Sequence, residues 1–248
     1  MRTIYILWLR QLKRFIRKKA SLVGALGQPL IFLVAFGFGL GPVFARAGGV
    51  DYIQFLSPGI IGMTVLFTSI FTGVEVIWDK QFGFLKETFV APVSRFEILL
   101  GKVLGGATVA IVQGILVFLI TLLVGFRVEN LALIPLAFVF LSLIAILFSA
   151  VGVTIAARLD DMQGFPLIIN FVIQPLFYLS GALFPLEGLP KFLEIITKIN
   201  PLSYGVDGLR GALTGISHFS SINSLLVLSI SLVLVILVGT YQFSKVEI

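Results

Sequence analysis

The sequence predicts an all-α, polytopic membrane protein: six transmembrane helices, an N-terminal amphipathic helix in the interface, a cytoplasmic helix after the second span and short external helices before the last. Three observations carry that prediction. Of 248 residues, 58% are hydrophobic and 12% charged, whereas a soluble domain carries about a quarter charged residues. A bilayer core about 30 Å thick takes about 20 helical residues at about 1.5 Å each, and six charge-poor runs of that length are present. Lysine and arginine fall between those runs, so the net charge of +6 points to an anionic lipid surface and not to nucleic acid.

Missing residue types narrow the chemistry. The chain has no cysteine, which removes disulfides, thiolate nucleophiles, iron–sulfur clusters and cysteine zinc sites. A single histidine, His218, leaves no imidazole pair for a metal and argues against histidine-centred hydrolysis. No catalytic residue, bound cofactor or metal is expected.

Residues 1–19 read as a helix lying in the interface. At 100° per residue Ile4, Trp8, Leu12, Phe15 and Ile16 share one arc, and Arg10, Lys13, Arg14, Arg17 and Lys18 the opposite one. Trp8, Arg10, Arg14 and Arg17 are the expected membrane-interface residues. The basic arc also suits one wall of a docking site for a cytosolic partner.

The spans are expected at 21–41, 55–78, 103–126, 131–157, 165–186 and 224–243. Glu75 is the one ionisable residue within them. An even number of passes puts both termini on one side. That side carries 13 of the 18 lysines and arginines (Arg2, Arg10, Lys13, Arg14, Arg17, Lys18, Lys19, Lys80, Lys86, Arg95, Lys102, Arg158 and Lys245), and the other carries Arg46, Arg127, Lys191, Lys198 and Arg210. Both termini are therefore expected in the cytoplasm of a multi-pass cell-membrane protein. Ala45-Arg46-Ala47 resembles a signal-peptidase site, but the apolar run before it exceeds signal-peptide length, and the first segment is expected to stay.

Polar residues inside the spans admit two readings. Gln28, Gln113, Asn170 and Gln174, with Thr64, Thr68, Ser69 and Thr72, line a substrate path or hydrogen-bond between helices where lipid offers no partner. Thr68, Gln113, Asn170 and Gln174 are the path candidates. Gly37 with Gly41, and Gly101 with Gly105, permit close helix approach. Pro58, Pro135, Pro166 and Pro175 predict kinks or breaks.

The connection 79–102 is more structured than a tether. Phe82, Leu85 and Phe89 recur at helical spacing, with Lys86 and Glu87 off that stripe. Ala91-Pro92 ends the helix, and Ser94 with Glu97 forms a capping box for the next. Such a helix, in the region 80–95, suits the receipt of force from another protein. The outer connection, Glu187 to Asn223, predicts two more helices over 187–215. Leu189, Phe192, Leu193 and Ile196 make one amphipathic after Pro190; Asn200 and Pro201 supply the cap and first turn of the second. Asp207 and Arg210, three residues apart, are placed to pair. Both helices are too short to cross, so they cap the surface or dip into the outer leaflet, as a lid over a path between subunits.

Two stretches carry a family resemblance: Gly83-Phe84-Leu85-Lys86-Glu87 with Pro92-Val93-Ser94-Arg95 and Gly101-Lys102, and Leu179-Ser180-Gly181 with Phe184-Pro185-Leu186, Leu189-Pro190, Asn200-Pro201-Leu202-Ser203-Tyr204 and Asp207-Gly208-Leu209-Arg210. The chain resembles the membrane permease subunit of type-2 ABC exporters over essentially its whole length. The resemblance implies a dimer, of identical or related permeases, engaging separate cytosolic ABC ATPase subunits that hold ATP and Mg. It also implies that Phe82 to Phe89 form a coupling helix, with Phe82, Gly83, Leu85, Lys86, Glu87, Phe89, Pro92 and Arg95 at the ATPase contact. The external positions are Pro190, Asn200, Pro201, Tyr204, Asp207 and Arg210.

The residues explain why an ATPase partner is needed. A phosphate-binding G-x-x-x-x-G-K-[ST] loop is absent; Gly101-Lys102 lacks the upstream glycine, and Val103 stands where a hydroxyl is required. The expected role is export of an amphiphilic drug, lipid or glycan. The rival is a self-sufficient secondary transporter or channel, which ordinarily keeps ionisable groups at mid-membrane. Glu75 lies about 20 residues into its span, roughly 30 Å along it and hence at the inner interface.

Overall fold

A computed structural model describes residues 2–17, 19–46, 51–90, 92–159 and 161–245. Lys18, Ala47 and Ala91, and the side chains of Lys19, Arg46, Lys86 and Phe89, lie outside the described set. All regular structure among the described residues is helical: α1 (Arg2–Arg17), α2 (Lys19–Arg46), α3 (Tyr52–Gln81), α4 (Phe84–Val90), α5 (Arg95–Val124), α6 (Ile134–Arg158), α7 (Gly164–Tyr178), α8 (Lys191–Ile199), α9 (Pro201–Thr214) and α10 (Ser221–Ser244).

Among the described residues, five segments are long and apolar enough to cross a bilayer: Leu26–Phe44 of α2, α3, α5, α6 with its leading turn from Leu131, and α10. α3 is the central one, with most of its side chains buried; α2, packed on α3, and α10, packed on α6, lie at the periphery of the bundle and expose Ile31, Val34, Phe38, Ile230, Val233 and Leu237. In lipid that outward apolar face costs nothing.

Three boundaries depart from the sequence expectation. α3 runs on to Gln81, so Asp79, expected in the connection, belongs to that helix; α5 starts at Arg95, where the Ser94 and Glu97 capping box places it, and carries Lys102. Their charges permit this by meeting each other. The coupling-region helix starts at Phe84 and not at Phe82, because Gly83 takes φ +78°, a conformation that favours glycine. The expected fifth span, 165–186, ends as a helix at Tyr178.

α7 is short and broken. Ile169–Ile173 widens to a π-type turn just before Pro175, which has no N–H to continue the ladder. Phe165 at its start meets Gly73 of α3, and Ala182 beyond its end packs on Gly59. Those two levels are 14 residues, about 21 Å, apart along α3 at about 1.5 Å per residue. α7 thus runs alongside α3 from one end of the bundle toward the other. Pro58 sits within continuous α3, and Pro135 occupies the first turn of α6, where a missing N–H is harmless.

α9 is not a surface cap. Leu202, Val206, Leu209 and Leu213 are buried, and Gly62, Gly205 and Gly208 lie against Val206, Ile144 and Phe140, so the helix is embedded between α3, α6 and α10. It is a half-length helix folded back into the bundle.

Candidate functional site

The site forms where α1, α3, α4 and α5 meet. α1 is seated by two missing side chains: a Cβ on Gly101 would fall 2.8 Å from Leu7 Cβ, and one on Gly105 2.7 Å from Gln11 Cβ. Leu7 with Gln11 and Gly101 with Gly105 share the i, i+4 spacing, the ridge-into-groove repeat of close helix packing. Trp8 Nε1 donates to Thr108 Oγ1 at 2.9 Å and fixes the register.

That register brings the basic residues of α1 over the end of α3. Arg10 donates through both terminal nitrogens to Asp79, at 2.9 and 3.0 Å, a bidentate geometry among the stronger polar contacts. Lys102 of α5, 2% exposed, donates to the same carboxylate. Arg14 stands 3.8 Å from Glu75 and 4.0 Å from Asp79. Burying one carboxylate among three cations offsets a desolvation cost that none of these groups meets alone. The Arg10 guanidinium also lies 3.5 Å over the centre of the Phe84 ring, which ties α4 to the cluster. Lys80 Nζ donates to Leu159 O at 3.3 Å and joins the end of α6.

α4 projects from this brace. Leu85 is buried and Phe84 half-buried under Arg10, whereas Phe82 is 82% and Val90 84% exposed. Phe82 therefore does not extend the stripe of Leu85; the turn at Gly83 breaks the helical spacing between them. Glu87 and Pro92 are exposed and Arg95 is half-buried. Thr88 Oγ1 donates to Phe84 O at 2.9 Å, and Ser94 Oγ accepts from Glu97 N–H at 3.1 Å to open α5.

Of the expected membrane-interface residues, Trp8, Arg10 and Arg14 point into the bundle contacts just described, while Arg17 is exposed. Tyr5, Ile6 and Ile16 are the large apolar residues α1 leaves open. Thr68 and Gln113 are brought together, with Thr68 Oγ1 donating to Gln113 Oε1 at 2.5 Å. Asn170 is exposed on α7 and Gln174 half-buried; neither lines the cleft that Thr68 and Gln113 share.

At the opposite end the expected Asp207–Arg210 pair does not form. Asp207 accepts backbone N–H groups of His218 and Phe219 at 2.8–3.0 Å, which pins the turn before α10. Arg210 donates to Gly181 O at 2.8 Å and Phe55 O at 3.3 Å and lies over the Phe55 ring. Backbone N–H groups of the loop before α10 take Asp207, and the carbonyls of Gly181 and Phe55 take Arg210. Asn200 caps α9 through Leu202 N–H at 3.0 Å and donates to Leu176 O at 2.7 Å, so one amide also closes the end of α7. Pro190 precedes α8 and Tyr204 Oη donates to Lys198 O at 2.9 Å. The exposed Glu194 and Lys198 meet at 2.6 Å; their mutual hydrogen bond lowers the carboxyl pKa and raises the amine pKa.

Asp79 and Gln11 carry no motif in the sequence, and Lys102 stands out there only beside Gly101. A usable signal was present: Glu75 and Asp79, and Arg10 and Arg14, share an i, i+4 spacing, so one helix face of carboxylates matches one of guanidinium groups.

A bundle of apolar crossing helices with a folded-back helix at one end and a braced, exposed helix at the other defines a multi-pass membrane protein. Residues 2–214 match the ABC-2 type transporter family, and the chain belongs to that family. It is 30% identical over 233 residues to the inner membrane transport permease YadH of Escherichia coli, covering 92% of this chain and 89% of that protein. It is also 30% identical over 202 residues to nodulation protein J of Rhizobium meliloti, covering 79% and 75%.

Proposed function

We propose that this chain is the transmembrane half of an ATP-driven exporter, working as a dimer of permeases in the cell membrane. It makes six passes with both termini in the cytoplasm. Cytosolic ABC ATPase subunits bind ATP and Mg, and this chain carries no part of the hydrolysis. The observation that supports the reading best is the Asp79 cluster, which joins the exposed helix α4 to three other helices at once.

The mechanism follows from that bracing. Phe82 and Glu87, with Gly83, Leu85, Lys86, Phe89, Pro92 and Arg95 around them, form the contact on which the ATPase bears. Phe82 and Val90 give it apolar area to bury, and Gly83 allows close approach. Displacement of α4 moves Phe84, and Phe84 moves Arg10. Arg10 is locked to Asp79 and hence to Lys102, so α1, α3 and α5 shift as one body. The path opened is one for an amphiphilic drug, lipid or glycan.

Reconstitution tests this reading. Vesicles holding the chain with a cognate ATPase should hydrolyse ATP and move an amphiphile, and vesicles without the ATPase should do neither. Transport driven by an ion gradient alone would overturn it.

A further inference from the structure

A cleft of about 220 Å³ lies between α1, α3 and α5, lined by Gln11, Phe15, Thr68, Phe71, Thr72 and Gln113, with the half-exposed Arg14 and Glu75 at one rim. It has room for roughly seven waters at about 30 Å³ each. Glu75 and Thr68 are seven residues apart on α3, so the polar lining reaches about 10 Å inward from the rim at about 1.5 Å per residue. Hydrogen-bonding groups at that depth are costly unless something polar meets them.

The lining says what that occupant is. Its one cation and one anion, Arg14 and Glu75, face each other at 3.8 Å, so the rim selects for neither sign of charge. The remaining polar groups are two amides and two hydroxyls, which both donate and accept. Gln113 Oε1 is taken by Thr68, leaving the amide N–H pair for whatever fills the cleft. Hydroxyl groups of a polyol match such a lining because they too donate and accept. Phe71, 49% exposed, and the half-buried Phe15 supply apolar faces at the side, where an attached chain would run out into lipid. We infer that the cleft receives the uncharged, polyhydroxylated head group of an amphiphile from the leaflet at the α1 end. The inference rests on the export reading for the direction of traffic alone.

Binding is testable without an ATPase, so its failure and that of the coupling reading are separable. The chain has no cysteine, which makes Val109→Cys, at the cleft wall, a clean reporter. The full-length variant is placed in phosphatidylcholine nanodiscs and its thiol is labelled with a small maleimide. Octyl glucoside should slow labelling several-fold, and octyl phosphate and 1-octanol should not. Protection by methyl glucoside as well would identify a soluble sugar as a sufficient ligand; protection only by octyl glucoside would identify a chain-linked one. Adding Gln113→Leu or Thr68→Val should abolish the protection, and Thr68→Val carries the test if the other variant does not fold. Absent protection, equal protection by octanol or octyl phosphate, or undiminished protection in a folded Thr68→Val variant would overturn the inference.

Discussion

Arg10 and Asp79, 69 positions apart in the chain, meet through two hydrogen bonds of 2.9 and 3.0 Å. The contact joins the amphipathic first helix to the end of the central one, and Lys102 and Phe84 complete it from two further helices. In the proposed coupling, this contact gives the exposed α4 its leverage on the bundle.

Neutralising Asp79 should be severe. In Asp79→Asn the buried Lys102 keeps its charge and loses its carboxylate, and breaking a buried pair in this way costs about 3 kcal/mol or more. Thermal unfolding in nanodiscs should fall accordingly. Adding Lys102→Met removes the stranded charge and should recover part of the loss.

Substitutions on the exposed side of α4 and at the turn before it should leave stability alone. Phe82→Ala and Glu87→Ala remove side chains that touch solvent, so insertion and the unfolding midpoint should match the parent, within about 0.5 kcal/mol. ATP turnover measured with the ATPase should persist while export per ATP falls. Normal export in both variants would place the contact elsewhere.

Close packing separates glycines that look alike in the sequence. A Cβ on Gly59 would fall 2.1 Å from Ala182 O, whereas one on Gly41 meets nothing within 4 Å. Gly59→Ala should cost about 1–3 kcal/mol through overpacking, and Gly41→Ala no more than about 0.5 kcal/mol. Comparing the two unfolding midpoints checks the placement of the 179–183 turn on α3.

The Asp207 and Arg210 side chains hold different backbone partners. A double-mutant cycle with Asp207→Asn and Arg210→Gln should therefore be near additive, with a coupling below about 1 kcal/mol, although each single change destabilises. A large coupling would restore the direct pair.

What the sequence discloses is what local chemistry decides. Ser94 and Asn200 cap helices where their spacing announces them, and runs of apolar residues mark the crossing segments. Long-range competition decides the rest. The spacing of Phe82, Leu85 and Phe89 reads as one stripe, but Gly83 turns the chain and throws Phe82 outward. Asp207 and Arg210 sit at pairing distance along a helix, yet the turn at Gly181 and the loop before α10 present unpaired backbone groups that take them. Asp79 looks like a loop charge until α1 is laid across it.

Cross-linking from α4 during ATP turnover tests the coupling claim most directly. The chain lacks cysteine, so Glu87→Cys gives one thiol to carry a photoreactive group. The account predicts that this group forms an adduct with the ATPase, that a membrane-impermeant thiol reagent reaches the position only from the cytosolic face, and that adduct yield changes when ATP is trapped. Labelling from the external face, or an ATPase that couples export without ever touching this position or Phe82, would contradict it.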